Sequence, residues 1–402
     1  MRAIFKNFTN YVGNNWINLV VGFLIIAIAV LTLAIQPPVI RNHANIYESA
    51  TIQKLEDPDN PWYRAVNTPY LIGASLAGIF TDSSLMAARL TSTIVTLASV
   101  VLFYILIRIW FNSKMALVGS ILFITNSLTL NTAHQATFVP MLMFSPLLIF
   151  ATFTWFMRTK KNRYLSFLAF IFALAISAYT PYMLWFILIA VVATSVYARK
   201  KLKKLKIWQL LSGALLYVLI LLPLFVSLLG APGQLKELLG IPTVGLASVG
   251  EYFINLVQII SSTFIYASTM PITFLGNLPV LDVFSGACAI LGIYFFIKRF
   301  RHRRSIIIFS GLTFSILLLA LNNNFQIFFA LLLPFLYIFV IAGIIEMLKQ
   351  WFHFFPRNPL ARNFGVTLIV IAIGLVSFYQ LQRYYVAWAN APETKAVYVI
   401  KY

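Results

Sequence analysis

The sequence predicts an all-α integral membrane protein, a polytopic bundle of about eleven transmembrane helices. Of the 402 residues, 61% are hydrophobic and only 10% are charged, and the mean hydropathy is +0.88. Soluble domains carry about 45–50% apolar and about 25% charged residues. Because no soluble arrangement hides this much apolar surface from water, a soluble enzyme and a disordered chain are both excluded.

Candidate spans are apolar stretches of about 20 residues, the length that crosses roughly 30 Å of hydrocarbon. They are 17–36, 85–109, 115–132, 139–157, 164–180, 182–198, 207–229, 282–297, 305–320, 326–348 and 364–381. The first stretch is too long for a signal peptide and lacks a small-residue cleavage site, so we interpret it as a retained anchor. Very short turns between several spans predict antiparallel neighbours in a compact bundle.

The charges predict the orientation of the bundle. Thirty Lys and Arg residues against ten Asp and Glu give a formal net charge of +20. In a soluble protein such a surplus suggests nucleic acid, whereas in a membrane protein it is typical of basic inner loops. With the N-terminus inside, 22 of the thirty basic residues lie on inner loops, and nine of the ten acids, all but Glu346, lie outside. We therefore predict an N-in, C-out protein of the bacterial cytoplasmic membrane with no nucleic-acid partner.

Three outer segments are substantial, and they belong to a single transmembrane domain, 1–402. These segments are 37–84, 230–281 and 382–402. Because the inner loops are short and featureless, any chemistry is expected on the outer face.

Two apolar stretches within the outer segments are predicted to lie at the membrane surface. Inserting 250–270 as a span would carry the basic loop 298–304 to the outside. Its polar residues recur at helical spacing on one face: Glu251, Asn255, Gln258 and Ser262. We interpret this stretch as an outer-surface helix, and 70–80, which is too short to span, as a second interfacial helix.

The first outer loop carries the candidate catalytic residues. It gathers seven charged or titratable side chains: Arg41, His43, Glu48, Glu56, Asp57, Asp59 and Arg64. A carboxylate beside a polar outer cavity can act as general base on an acceptor hydroxyl. Glu48, on a predicted helix after the first span, is the first candidate, and His43 is the second. The Glu56-Asp-Pro-Asp59 motif is more typical of a solvated turn.

Two arginines are candidates for contacts with a lipid phosphate, which a guanidinium can hold at two points. They are Arg89, at the start of the second span, and Arg41. The alternative for Arg89 is an anchor to lipid headgroups. At the outer ends of other spans, His134 and the aromatic residues of Tyr384-Tyr-Val-Ala-Trp388 are predicted to be interfacial.

Other residue types exclude or disfavour several functions. No ionisable residue falls in the middle of a predicted span, which disfavours an ion-coupled transporter. The four histidines have no metal-ligand spacing, and the single cysteine, Cys288, rules out an internal disulfide.

Several loose motifs, in order and over most of the chain, resemble those of one known family. They are Pro37-Pro38, Thr68-Pro-Tyr-Leu, Ala87-Ala-Arg-Leu-Thr-Ser, Thr125-Asn-Ser, Ile293-Tyr-Phe-Phe-Ile-Lys and Arg383-Tyr-Tyr-Val-Ala-Trp. The layout is similar to that of the GT-C membrane glycosyltransferases, particularly the protein-mannosyltransferase and aminoarabinose-transferase branch. The resemblance implies transfer of a sugar from a polyprenyl-phosphate donor to an acceptor on the outer face. It also implies an acidic base in the first outer loop and basic contacts to the phosphate.

The sequence departs from the family at its catalytic motifs. An Asp-Glu pair is expected where this chain has Asn42-His43 or His43-Ala44, and a lysine is expected where Asn67 stands. A second acid, expected after the third span, falls near Val139-Pro140. The Gly-Asp and Arg-His features of the large outer loop have no match in 265–281.

Three functions follow from these observations. The first is a lipid-linked-sugar glycosyltransferase in which Glu48 replaces the missing acid. The second is a catalytically inactive GT-C-fold protein that binds lipid-linked sugars or partners an active relative. The third, less favoured, is a transporter or flippase. The sequence neither requires nor excludes a divalent cation as cofactor, and it does not specify the sugar or the acceptor.

Overall fold

The computed structural model describes residues 30, 34–41, 43–56, 66–242, 245–267, 270–274 and 276–401. The first predicted span, 17–36, lies almost wholly outside the described residues. In the first outer loop, Asn42 and residues 57–65 also lie outside them, and the latter include Asp57, Asp59 and Arg64.

The described chain is helical except for two strands of two residues each and the connecting loops. The strands are β1 (His43–Ala44) and β2 (Ile400–Lys401). The helices are α1 (Ile46–Glu56), α2 (Thr68–Ala77), α3 (Ser84–Trp110), α4 (Ser113–Thr125), α5 (Ser127–His134), α6 (Val139–Arg158), α7 (Arg163–Ser177), α8 (Met183–Tyr197), α9 (Arg199–Leu202), α10 (Ile207–Gly230), α11 (Gln234–Leu239), α12 (Val249–Phe264), α13 (Val283–Lys298), α14 (Arg303–Leu319), α15 (Leu333–Phe354), α16 (Pro359–Gln382) and α17 (Pro392–Val397). Short 3₁₀ turns cover Pro38–Ile40, Gly78–Phe80 and Phe325–Leu332, and a π-helical turn covers Arg383–Trp388.

The all-α membrane bundle is confirmed, but the count of eleven spans is not. Among the described residues, five helical segments are long and apolar enough to cross a membrane: Ser84–Trp110, Val139–Arg158, Ile207–Gly230, Phe325–Phe354 and Pro359–Trp388. A sixth is reached if α4 and α5 count as one bent span. Helices α7, α8 and α13 are apolar but shorter.

The third predicted span, 115–132, is broken rather than straight. Its two helices, α4 and α5, meet at an angle of 61°. The break lies at Asn126, whose side-chain oxygen accepts hydrogen bonds from the backbone amides of Leu128 and Thr129 at 3.0 and 3.3 Å. Asn126 therefore caps a new helix and ends the previous one.

The basic turns meet at one end of the bundle, called here the basic end. Arg304 donates to the carbonyl of Trp110 at 3.0 Å, which joins two of these turns. Lys201 donates to the carbonyls of Phe156 and Thr159 at 3.0 and 2.9 Å and joins two more. This grouping matches the single inner side that the sequence predicts.

The three long outer segments converge at the opposite end, called here the distal end. Strand β1, in the first segment, pairs antiparallel with β2 in the last, with His43 opposite Lys401. Arg383 of the last segment donates to the carbonyl of Leu278 in the middle segment at 3.0 Å. Segments separated by up to 358 residues thus form one polar assembly.

The centre of the bundle is built by a close approach of α13 and α15. A Cβ placed on Gly292 would lie 1.9 Å from the carbonyl oxygen of Phe339, and one on Gly343 would lie 1.8 Å from that of Cys288. Backbones this close are typical of membrane helices that pack through small residues. Helix α15 is buried along most of its length.

The two predicted surface helices both form. In α12, Asn255 is buried and donates to the carbonyl of Ala320 at 3.1 Å, whereas Phe253 and Val257 are exposed. Helix α2 is anchored by Tyr70, whose buried hydroxyl lies 3.0 Å from the carbonyl of Ala88. Each helix turns its polar contacts toward the protein and leaves apolar side chains for lipid.

Candidate functional site

Glu48 and Arg89 form a buried ion pair at the distal end. The side chain of Glu48 is 0% exposed and that of Arg89 is 1% exposed. The Nε of Arg89 donates to Oε1 of Glu48 at 3.0 Å, and Nη2 donates to Oε2 at 3.1 Å. This two-point geometry is the strongest arrangement of a guanidinium and a carboxylate.

The pair is completed by main-chain groups from both sides. Arg89 also donates from Nη1 to the carbonyl of Ile40 and from Nη2 to that of His43, the latter at 2.8 Å. Glu48 accepts from the amide of Ala136 at 2.7 Å and from that of Asn45 at 3.1 Å. A buried charge pair is tolerated when its remaining polar atoms are satisfied in this way.

The C-terminal segment packs beside this pair. The Nε2 of Gln135 donates to the hydroxyl of Tyr398 at 3.3 Å and to the carbonyl of Ile272 at 2.8 Å. Burial raises the pKa of Tyr398 above its usual value, so its phenol stays protonated even at moderately alkaline pH. Nδ1 of His134 lies 2.7 Å from the hydroxyl of Tyr384.

The aromatic motif of the last segment does not form an interfacial belt, as the sequence suggested. Tyr384 and Trp388 are only 1% and 2% exposed, and their rings stack with centroids 5.1 Å apart. Nε1 of Trp388 donates to the carbonyl of Pro271 at 2.8 Å. Helix α16 continues past its predicted end as a π-helical turn, Arg383–Trp388, and the two rings of this turn are buried in the protein.

A cavity of about 250 Å³, called here the distal cavity, opens at the distal end. Its lining combines a carboxylate, a phenol and an amide with apolar side chains: Phe138, Pro181, Tyr182, Glu237, Gly240, Ile241, Pro242, Asn322 and Phe328. Glu237 is half-buried in α11. The distal cavity therefore presents one carboxylate to whatever occupies it.

Two hydrogen bonds tie the segments that line the distal cavity to Glu48 and to Asn67. Phe138 follows Ala136, whose amide binds Glu48, by two residues. The amide of Asn67, immediately before Thr68-Pro-Tyr-Leu, donates at 2.8 Å to the carbonyl of Tyr179, two residues before Pro181. The two chain segments that carry Phe138 and Pro181 are thus tied, two residues away from the cavity, to Glu48 and to Asn67.

Glycine at position 240 shapes the wall of the cavity. Gly240 has φ of +76°, and a Cβ placed there would lie 2.2 Å from the ring of Tyr182. The amide of Tyr182, itself at φ 69°, donates to the carbonyl of Leu238 at 3.0 Å. Only a residue without a side chain combines this backbone conformation with the ring contact.

The structure brings some of the predicted site residues together and leaves others apart. Glu48 and Arg89 are brought together, and His43 contributes its carbonyl and its place in β1. Arg41 lies exposed on the same segment. Glu56 is exposed and accepts a hydrogen bond from the hydroxyl of Ser84 at 2.6 Å.

Glu237 was not among the residues predicted from the sequence. It is one of two acids in the middle outer segment, with Glu251, and no local motif distinguishes it. Its one signal is that it is among the nine acids on the predicted outer side, a property that does not single it out. Within the described ranges, no group of three or more His, Cys, Asp or Glu side chains is placed to hold a metal ion.

Comparisons with known proteins place this architecture in a fold family. Residues 64–226 match the model of the dolichyl-phosphate-mannose-protein mannosyltransferase family. No curated protein sequence matches the chain. The apo structure of ArnT from Cupriavidus metallidurans superposes with a TM-score of 0.59 at 12% identity, covering 96% of this chain and 78% of ArnT.

Two structures with bound lipid carriers are similar to the same extent. ArnT from Cupriavidus metallidurans bound to undecaprenyl phosphate gives a TM-score of 0.58 at 13% identity, covering 93% of this chain and 76% of ArnT. The oligosaccharyltransferase AglB from Archaeoglobus fulgidus, in complex with an inhibitory peptide and a dolichol-phosphate, gives 0.59 at 14% identity, covering 98% of this chain and 57% of AglB. The chain therefore has the fold of the GT-C superfamily of membrane glycosyltransferases.

Proposed function

We propose that this protein transfers a sugar from a polyprenyl-phosphate donor to an acceptor, and that it does so in the distal cavity on the outer face of the membrane. The observation that carries the proposal is the half-buried carboxylate of Glu237 in that cavity, in a fold whose relatives bind polyprenyl-type phosphates. Fold alone does not imply an activity, and the proposed chemistry therefore rests on the carboxylate in the cavity.

Glu237 is the general base in this proposal. It takes the proton of the acceptor hydroxyl as the hydroxyl oxygen attacks the anomeric carbon of the sugar. The bond from that carbon to the phosphate oxygen breaks, and polyprenyl phosphate leaves with the electron pair. A positioned carboxylate contributes about 10²–10⁴-fold to such a step.

Glu48 and Arg89 act as positioning residues. The four hydrogen bonds of Arg89 and the four donors around Glu48 occupy both charged groups, and neither residue lines the distal cavity. A role of Glu48 as base, or of Arg89 on a phosphate, would require this pair to open. Arg41, exposed on the segment that Arg89 holds, is the cation we assign to the donor phosphate. His43 acts through its carbonyl in this scheme.

The closed ion pair also favours a second function, an inactive protein that binds lipid-linked sugars or partners an active relative. Asn67 stands at the position of the lysine expected from the family, and its backbone amide donates to the backbone carbonyl of Tyr179. In this alternative the donor binds at the distal end without turnover. A transporter has less support, since Arg89 and Glu48 neutralise each other near the distal end.

The test measures transfer of a labelled sugar from a polyprenyl-phosphate donor by the purified protein, with membrane extract as acceptor. The Glu237→Gln variant is expected to lower the rate about 10²–10⁴-fold. The matched control is Glu393→Gln, which changes an exposed carboxylate of the last outer segment. Its rate is expected to equal that of the unchanged protein.

Binding of the same labelled donor separates the two functions. Binding with transfer supports the glycosyltransferase. Binding without transfer by any of the three proteins contradicts catalysis and supports the inactive lipid-binding protein. Equal transfer by the Glu237→Gln variant and its control would show that the base is another residue.

A further inference from the structure

A second, larger cavity lies at the basic end, far from the proposed site. This basic pocket has a volume of about 620 Å³. Its lining is Trp110, Phe111, Phe295, Phe296, Arg299, His302, Arg303, Arg304, Ser305 and Lys349. No Asp or Glu is among these residues, so four permanent cations surround one opening without a counter-charge in its wall.

Aromatic rings and main-chain groups hold these cations in place despite their mutual repulsion. The guanidinium of Arg299 lies 4.5 Å from the ring centroid of Phe295, and Nζ of Lys349 lies 5.3 Å from the same centroid. Arg304 lies 5.7 Å from the ring of Trp110 and donates to its carbonyl at 3.0 Å. A site organised in this way loses little side-chain entropy when an anion binds.

The nearest acid on these helices does not cancel the charge. Glu346 precedes Lys349 by one turn of α15, and its carboxylate accepts a hydrogen bond from Gln350 at 3.3 Å, but it is not part of the pocket wall, where four cations lie. On the other side, the charge of Arg158 adds to that of Arg304. Four cations in the wall against one nearby acid leave the pocket with a net positive charge that attracts a phosphate.

The wall of the pocket also presents apolar surface beside its cations. Four aromatic side chains line it: Trp110, Phe111, Phe295 and Phe296. A ligand whose polar group enters the pocket can therefore keep acyl chains against this apolar surface. Basic pockets between helices at the inner surface of a membrane recognise anionic headgroups in this manner.

We propose that the basic pocket is a binding site for the phosphate headgroup of an anionic phospholipid of the inner leaflet. Arg299 and Lys349, which both lie over the ring of Phe295, bind the phosphate in this site. Arg303 and Arg304 close the site from α14. The lipid would tie together three helices that contribute cations to this pocket or to its edge, α13, α14 and α15.

The test uses the purified, delipidated full chain in a neutral detergent, titrated with phosphatidylglycerol, with phosphatidylcholine, or with inorganic phosphate. Bound lipid is counted by native mass spectrometry, and thermal unfolding is followed in parallel. We expect phosphatidylglycerol to bind and to raise the unfolding temperature, and the other two probes to do neither. Binding that is equal for both lipids, or reproduced by inorganic phosphate alone, overturns the proposal.

A matched pair of double variants separates the pocket from general surface charge. Arg299→Gln with Lys349→Gln removes two cations of the pocket, whereas Lys200→Gln with Lys203→Gln removes two exposed cations elsewhere at the basic end. We expect affinity for phosphatidylglycerol to fall at least about tenfold in the first double variant and to change less than about twofold in the second. Equal losses in both would show non-specific attraction and contradict the site. Far-ultraviolet circular dichroism of both variants verifies that they are folded.

Discussion

Glu48 and Arg89 stand 41 residues apart in the chain, yet their side chains meet at two points in the protein interior. The same guanidinium holds the carbonyls of Ile40 and His43. One side chain of α3 thereby fixes the segment that leads into α1. This relationship accounts for the position of the first outer segment. Glu48 also accepts a hydrogen bond from the amide of Ala136, two residues before Phe138 in the wall of the distal cavity.

Removing one member of this pair is predicted to cost about 3–5 kcal/mol in the free energy of unfolding, because the remaining charge is left buried without its partner. The variants are Glu48→Gln and Arg89→Met. The double variant is expected to cost clearly less than the sum of the two, since it leaves no unpaired charge. Chemical unfolding in detergent measures all three. Additive losses would show that the two side chains do not interact.

The wall of the distal cavity is predicted to depend on glycine at position 240. Gly240 and Gly245 share φ of +76°, but only Gly240 faces a neighbour, the ring of Tyr182. Both Gly→Ala variants carry the backbone strain of about 1–3 kcal/mol, and Gly240→Ala carries the steric conflict in addition. We expect Gly240→Ala to lower the unfolding temperature further than Gly245→Ala and to weaken donor binding. Equal effects of the two substitutions would mean that the ring of Tyr182 moves aside with no loss of stability.

The close approach of α13 and α15 is predicted to be intolerant of even a methyl group. Gly343→Ala would place its Cβ against the carbonyl of Cys288, where neither backbone can move aside without separating the helices. We expect a loss of roughly 1–3 kcal/mol in the free energy of unfolding. The control is Gly374→Ala in α16, which meets no atom within 4 Å and is expected to be neutral or slightly stabilising. A stable Gly343→Ala protein would show that the two helices lie farther apart.

The sequence predicts those parts of the fold that depend on local pattern. The row of polar residues in 250–270 indicates a surface helix, and Asn255 of that row is buried against Ala320. Basic turns indicate one end of the bundle, and hydrogen bonds such as Arg304 to Trp110 join them there. These features are visible because helix period and charge placement act over short distances.

The remaining features depend on contacts between distant segments. Hydropathy identifies the stretch 115–132 but not its break, which depends on the side-chain cap of Asn126. The sequence marks Glu48 and Arg89 as candidates, but it does not show that they neutralise each other. Glu237 has no motif of its own, and only the meeting of α11 with Phe138 and Asn322 places it in a cavity.

The most direct measurement is the release of polyprenyl phosphate from a polyprenyl-phosphate sugar in the presence of acceptor, because the leaving group reports the reaction whatever the acceptor is. We predict release by the unchanged protein and by Glu393→Gln, and a rate about 10²–10⁴-fold lower in Glu237→Gln. If the unchanged protein binds the donor and releases no polyprenyl phosphate, the proposal of a glycosyltransferase is contradicted.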